Sequence, residues 1–131
     1  MLTITPVSKV IAIAEAERFP DLTGNGFGYA RFIDPEHYSP KDQRKDREYL
    51  WSDDGLLQIA YSIQYARENR IRPDSGSYGL KHEIEIWSHD HGSYKYVCNG
   101  CAILGLSLAG YEVIVVDNSP NCRFRRGGRH E

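Results

Sequence analysis

Residues Tyr94 to Val116 read YKYVCNGCAILGLSLAGYEVIVV, and the reading of this stretch decides the fold class. Its first part is an apolar run broken by small residues, which predicts a helix over about Tyr94 to Ala109. Gly100, Cys101, Gly105 and Ala109 would let that helix approach a neighbour closely. Gly110 stands in the C′ position, where an achiral residue accepts the left-handed turn that ends a helix. Tyr111 to Val116 is apolar and β-branched, and predicts a strand. A helix leading directly into a strand points to an α+β domain.

Upstream lies a second well-marked helix, over about Asp54 to Asn69. Leu56, Ile59, Ala60, Ile63 and Ala66 recur at three and four residues, the spacing of an amphipathic stripe. Between the two, Ser77 is expected to cap a helix over about Tyr78 to Ser88, with Leu80, Ile84 and Trp87 on one face. Ser39 followed by Pro40 is the cap-then-N1 pattern and opens a highly charged helix, KDQRKDREYLW. Nearer the N-terminus, Leu2 to Val7 alternates as a short strand would, and Ser8 can cap a helix through the Ala-Glu-Ala-Glu run. The expectation is a single α-rich α+β domain of about four helices with a small sheet formed near the termini. It spans residues 1–121, and 122–131 form a basic, flexible tail.

The chain has 131 residues, enough for one domain with its own core. Its formal net charge of −2 supplies no global attraction for nucleic acid or membrane. Three cysteines, an odd number, argue against a disulfide framework and for a reducing, cytoplasmic setting. The longest early apolar run, Val10 to Ala14, falls far short of the ~20 residues that cross a bilayer, so no membrane association is expected.

Two motifs carry chemistry. Gly26 to Phe32, GFGYARF, is close to the octamer with which some β-sheet modules stack RNA bases. Phe27 and Tyr29 could offer rings, while Arg31 and the tail residues Arg123, Arg125, Arg126 and Arg129 could reach phosphate. The context differs from such a module, because too few residues precede Gly26 and the middle of the chain is helical. A glycine-rich turn whose aromatics enter the core explains the same letters. The second motif places His89, His91, Cys98 and Cys101 within thirteen residues, a Cys₂His₂ set suited to zinc. Against it, the two cysteines fall inside the predicted helix, where buried free thiols need no metal. No cofactor other than zinc is suggested. Tyr78, Lys81, His82 and Glu83 could form an acid–base cluster, but only within a cleft. No nucleophile elbow, P-loop or paired-carboxylate pattern is present, so no catalytic residue is assigned and an enzyme is not expected.

The segments SYGLKHEIEIW (Ser77 to Trp87) and YVCNGCAILGLSLAGYEV (Tyr96 to Val113) resemble a loose group of small, uncharacterised proteins of phages and other mobile elements. The shared pattern is Ser-Tyr-Gly-Leu-Lys-His, then Asn-Gly at the front of an apolar helix, then Ala-Gly-Tyr. It covers about 37 of 131 residues. Cys98 and Cys101 depart from the group, in which polar or small residues flank the Asn-Gly. The resemblance implies an accessory protein of a mobile element, with Tyr78, Lys81, His82 and Asn99 as its partner-binding or motif residues. The leading expectation is a non-enzymatic protein acting by contact with a protein partner, for example inhibiting a host nucleic-acid-handling or defence complex. Nine tyrosines suit such a surface. Direct nucleic-acid binding and a small zinc protein are the alternatives.

Overall fold

The structure is a computed structural model that describes residues 3–28, 36, 38–93 and 95–127. Its elements follow the caps and periodicities above. Helix α1 (Lys9–Ala16) starts at Ser8, whose Oγ accepts the Ile11 N–H at 3.2 Å. Residues 3–8 carry no strand; instead the Val7 N–H donates to the Leu56 carbonyl at 3.2 Å. A short hairpin pairs β1 (Leu22–Thr23) with β2 (Gly26–Phe27). Helix α2 (Pro40–Glu48) opens with a full capping box: Ser39 and Asp42 satisfy each other's backbone N–H groups. A 3₁₀ turn (Tyr49–Trp51) leads through the cap Ser52 into α3 (Asp53–Glu68).

Helix α3 is the central one. The Leu56, Ile59, Ala60 and Ala66 stripe is buried, and Gln58, Tyr61, Ser62 and Tyr65 are buried with it. It packs on α5 (Asn99–Leu108), whose residues 99–107 are all buried. The close approach expected of α5 occurs at Gly105, where an added Cβ would stand 2.4 Å from Ser62 Cβ and 2.9 Å from the Ile59 carbonyl. Gly100 behaves differently. Its missing Cβ would come 2.1 Å from the Thr23 carbonyl, so Asn99-Gly100 admits the β1–β2 hairpin and not a helix.

Helix α4 (Ser77–Asp90) buries Leu80, Ile84 and Trp87 as expected. Ser77, however, is its first residue and not its cap. Its Oγ accepts the Cys122 N–H at 3.1 Å, tying the helix start to a strand 45 residues later.

The second sheet has the order β3-β5-β4, all antiparallel, from β3 (Ser75–Gly76), β4 (Tyr111–Val115) and β5 (Cys122–Arg126). Val113 and Ser75 both face Phe124 in register. The expected flexible tail is therefore a central strand over residues 122–126. Alternation explains it: Cys122 and Phe124 point inward and are buried, while Arg123 and Arg125 point outward. Local composition showed only the arginines. The domain is a small α+β unit of five helices and two small sheets among the described residues. No helix among them is long and apolar enough to cross a membrane.

Candidate functional site

The segment before α5 is held extended by side chains from the two helices behind it. The Ser88 Oγ accepts the Lys95 N–H at 2.9 Å, and the Lys95 ammonium pairs with Asp54. One oxygen of Glu85 accepts the Val97 N–H at 3.0 Å. Gln58, fully buried on α3, accepts the Cys98 N–H at 2.8 Å and donates to the Tyr49 hydroxyl and Asp54, each at 2.6 Å. Every polar atom of Gln58 thus has a partner, which makes this buried network a rigid positioning device.

Four side chains meet where that segment passes α4. The Lys81 ammonium is buried and pairs with Glu85 at 3.1 Å. It lies 5.0 Å from the centre of the Tyr96 ring and 5.7 Å from that of Tyr78, so two aromatic faces supply part of its solvation. Both rings are about half exposed and form a rim. Asn99 closes the far side, with its amide nitrogen donating to Asn121 Oδ1 at 2.9 Å. Together with Gly24 and Asn121 they line a cleft of about 380 Å³. Within it Asn99 is only 6% exposed, and its Oδ1 has no hydrogen-bond partner among the described residues. A buried acceptor left unmet costs roughly 1–3 kcal/mol.

Three of the four motif residues, Tyr78, Lys81 and Asn99, are therefore brought to one place. His82 sits beside them on the outer face of α4. Its ring stands edge-on to Tyr78 at 4.7 Å, and its Nδ1 lies 3.1 Å from Glu85 Oε1. Glu83 is elsewhere, bonded to the Tyr65 hydroxyl at 2.9 Å. Sequence reasoning missed Tyr96 and Glu85. The signal for Glu85 was present, since it follows Lys81 by four and His82 by three, the spacing of helical neighbours. Tyr96 had none, because its place depends on an extended segment that looked helical.

The remaining candidates separate. Phe27 is buried and packs edge-on against Phe19 at 6.0 Å, so it offers no stacking face. Tyr29, Arg31 and Arg129 lie outside the described residues. Arg125 pairs with Asp74 at 2.9 Å, and Arg123 is exposed on the same outer face of β5. Arg126 instead lines a second cleft of about 920 Å³ with Arg67, Arg70 and Tyr111.

The Cys₂His₂ set is not assembled. His91 Nδ1 lies 2.8 Å from the Trp87 carbonyl, His89 is exposed beside Asp90, and the cysteines are buried at the start of α5. No three metal-ligating side chains converge among the described residues. Cys98 also corrects an expectation, for it is the N-cap of α5 and not an interior residue. Its Sγ accepts the Cys101 N–H at 3.4 Å. No family model, no curated protein and no solved structure matches this chain.

Proposed function

We propose that this is a non-enzymatic accessory protein of mobile-element type that acts by gripping a protein partner at the Tyr78–Lys81–Tyr96–Asn99 cleft. One observation carries the reading: residues from two distant segments converge on a cleft whose buried Asn99 acceptor is unmet. An entering peptide segment fits that chemistry. A backbone N–H would satisfy Asn99 Oδ1, a carbonyl would take a remaining Lys81 proton, and the two tyrosine rings would flank the chain. A host complex that handles nucleic acid, including a defence complex, is the partner class in view. The test is capture from host lysate with the wild-type protein and with Tyr78→Ala/Tyr96→Ala. Rim aromatics at such a site carry roughly 2 kcal/mol each, so the double variant should retain under a tenth of the captured protein. Capture of nothing by the wild type, or equal capture by both, removes the reading.

A second reading is favoured by the larger cleft. Arg67 of α3 and Arg70 just beyond it share this cleft with Arg126 and Tyr111, with no carboxylate among its described lining residues. Three guanidiniums and one ring suit a phosphodiester strand with a stacked base. Single-stranded oligonucleotide binding there would weaken with salt at a log–log slope of about −2, from roughly −0.7 per phosphate contacted. Arg126→Ala should flatten that slope, and Arg125→Ala, whose guanidinium is already paired with Asp74, should leave it unchanged.

A further inference from the structure

The three cysteines occupy three different environments. Cys122 is buried in β5 with its thiol pushed up to about 12 by burial, and it is inert at neutral pH. Cys98 and Cys101 stand one turn apart at the start of α5. The Cys101 thiol hydrogen-bonds to Cys98 Sγ, the Cys101 N–H also donates to it at 3.4 Å, and the Lys81 charge is nearby. These groups outweigh burial and hold the Cys98 thiol below its ordinary range. Cys101, fully buried and facing a partner of developing negative charge, is driven well above its own. The helix N-terminus adds its positive end to Cys98 alone.

The tyrosine-lined cleft lies next to Cys98. Gly24 lines that cleft, and a Cβ placed on it would stand 3.8 Å from Cys98 Sγ, so the sulfur, in a residue only 5% exposed, packs directly behind this wall. Asn99, within the Cys98–Cys101 segment itself, lines the same cleft.

We infer that Cys98 and Cys101 form a thiol–disulfide exchange site, with Cys98 as nucleophile and Cys101 as resolving thiol, acting on a small disulfide admitted through the cleft. In the first step the Cys98 thiolate attacks one sulfur of the disulfide R–S–S–R. A Cys98–S–R bond forms, the S–S bond breaks, and the departing thiolate takes a proton from water. Cys101 then attacks Cys98 Sγ, the bond from Cys98 Sγ to the S–R sulfur breaks, and the proton of the Cys101 thiol passes to the second thiolate as it leaves. The protein dithiol is oxidised to a disulfide as the substrate disulfide is reduced to two thiols. Residues three apart across a first helical turn stand at roughly the 4.4–6.8 Å Cα separation that a disulfide spans.

The test uses limiting iodoacetamide at pH 7 and, separately, glutathione disulfide, each read by intact mass and peptide mapping. Cys98 should be alkylated at least about tenfold faster than Cys122. Glutathione disulfide should leave the wild type two hydrogens lighter, with the new bond mapped to Cys98–Cys101. Cys101→Ser should stop at a stable glutathione adduct on Cys98. Cys98→Ser keeps a good capping residue and therefore the fold, and it should take no adduct at position 101. Alkylation of Cys98 no faster than of Cys122 overturns the inference, as does an unchanged wild-type mass after glutathione disulfide.

Discussion

Helices α2 and α5 are of similar length and are held by opposite means. Helix α5 is apolar on nearly every side, and residues 99–107 are buried, so it is fixed by packing density. Helix α2 has no buried residue at all. It is fixed by a few directed bonds. The Arg47 guanidinium donates to the carbonyls of Ala16, Phe19 and Leu22 at 2.8–2.9 Å, closing the exposed end of α1. Asp46 receives the Tyr38 hydroxyl and the Asn25 amide, and its own carbonyl accepts the Gly24 N–H. The lesson is that a helix with no core face can still be placed, provided that one cation ties it to several backbone carbonyls at the end of a neighbouring helix.

The contrast can be broken at its strongest point first. Leu104 is fully buried in α5, and Leu104→Ala should cost about 2–5 kcal/mol in denaturant unfolding, from lost transfer energy plus the cavity left behind. A smaller loss would mean that α5 relaxes around the gap and is not tightly packed. Arg47→Ala comes next. Three carbonyls lose a charged donor, and about 2 kcal/mol should go. Arg47→Lys should recover little of it, because a single ammonium cannot copy a planar fork aimed at three oxygens. An unchanged midpoint for Arg47→Ala would show that α2 is held by something other than these bonds.

The smallest effect sharpens the comparison through pH. The Ser39 backbone N–H and then its hydroxyl hold the Asp42 carboxyl below its ordinary range. A depressed folded value means that the cap contributes above the unfolded aspartate pKa, about 3.9, and is lost as pH falls through the lower folded value. Amide protection relative to the free-peptide rate in the first turn of α2 should therefore fall below about pH 4, while α5, which contains no carboxylate, keeps its protection until the whole domain unfolds. Asp42→Ala should abolish the difference between neutral and acid pH in α2, whereas Ser39→Ala, which keeps the backbone N–H, should only reduce it. Equal pH dependence in both helices would show that the box at Ser39 does not hold α2.

Much of the fold was legible because the relevant signals are local. Ser8, Ser39 and Pro40 sit where their short-range hydrogen bonds or missing N–H make a helix start, and the α3 stripe repeats at the pitch of the helix. Gly110 between an apolar helix and a β-branched run marks a boundary with almost no help from elsewhere. The site was legible only in part. Tyr78, Lys81 and Asn99 stood out as letters, but their meeting around one cleft, and the Tyr96 ring that completes it, did not.

The amino-acid order alone thus determined where α1 and α2 begin, where α3 and α5 end to within a residue, which faces are apolar, and the α+β class, since each depends on neighbours within about one or two turns. Tertiary structure decided the rest. Cys98 became a cap because Gln58 and Glu85 hold the preceding residues extended. Ser77 gave its hydroxyl to Cys122, Phe27 went into the core, and an arginine-rich tail became the middle strand of a sheet. Each of these outcomes is a pairing between segments tens of residues apart. The free energy that selects such a pairing comes from burial and hydrogen bonding across the fold, and it has no trace in local sequence.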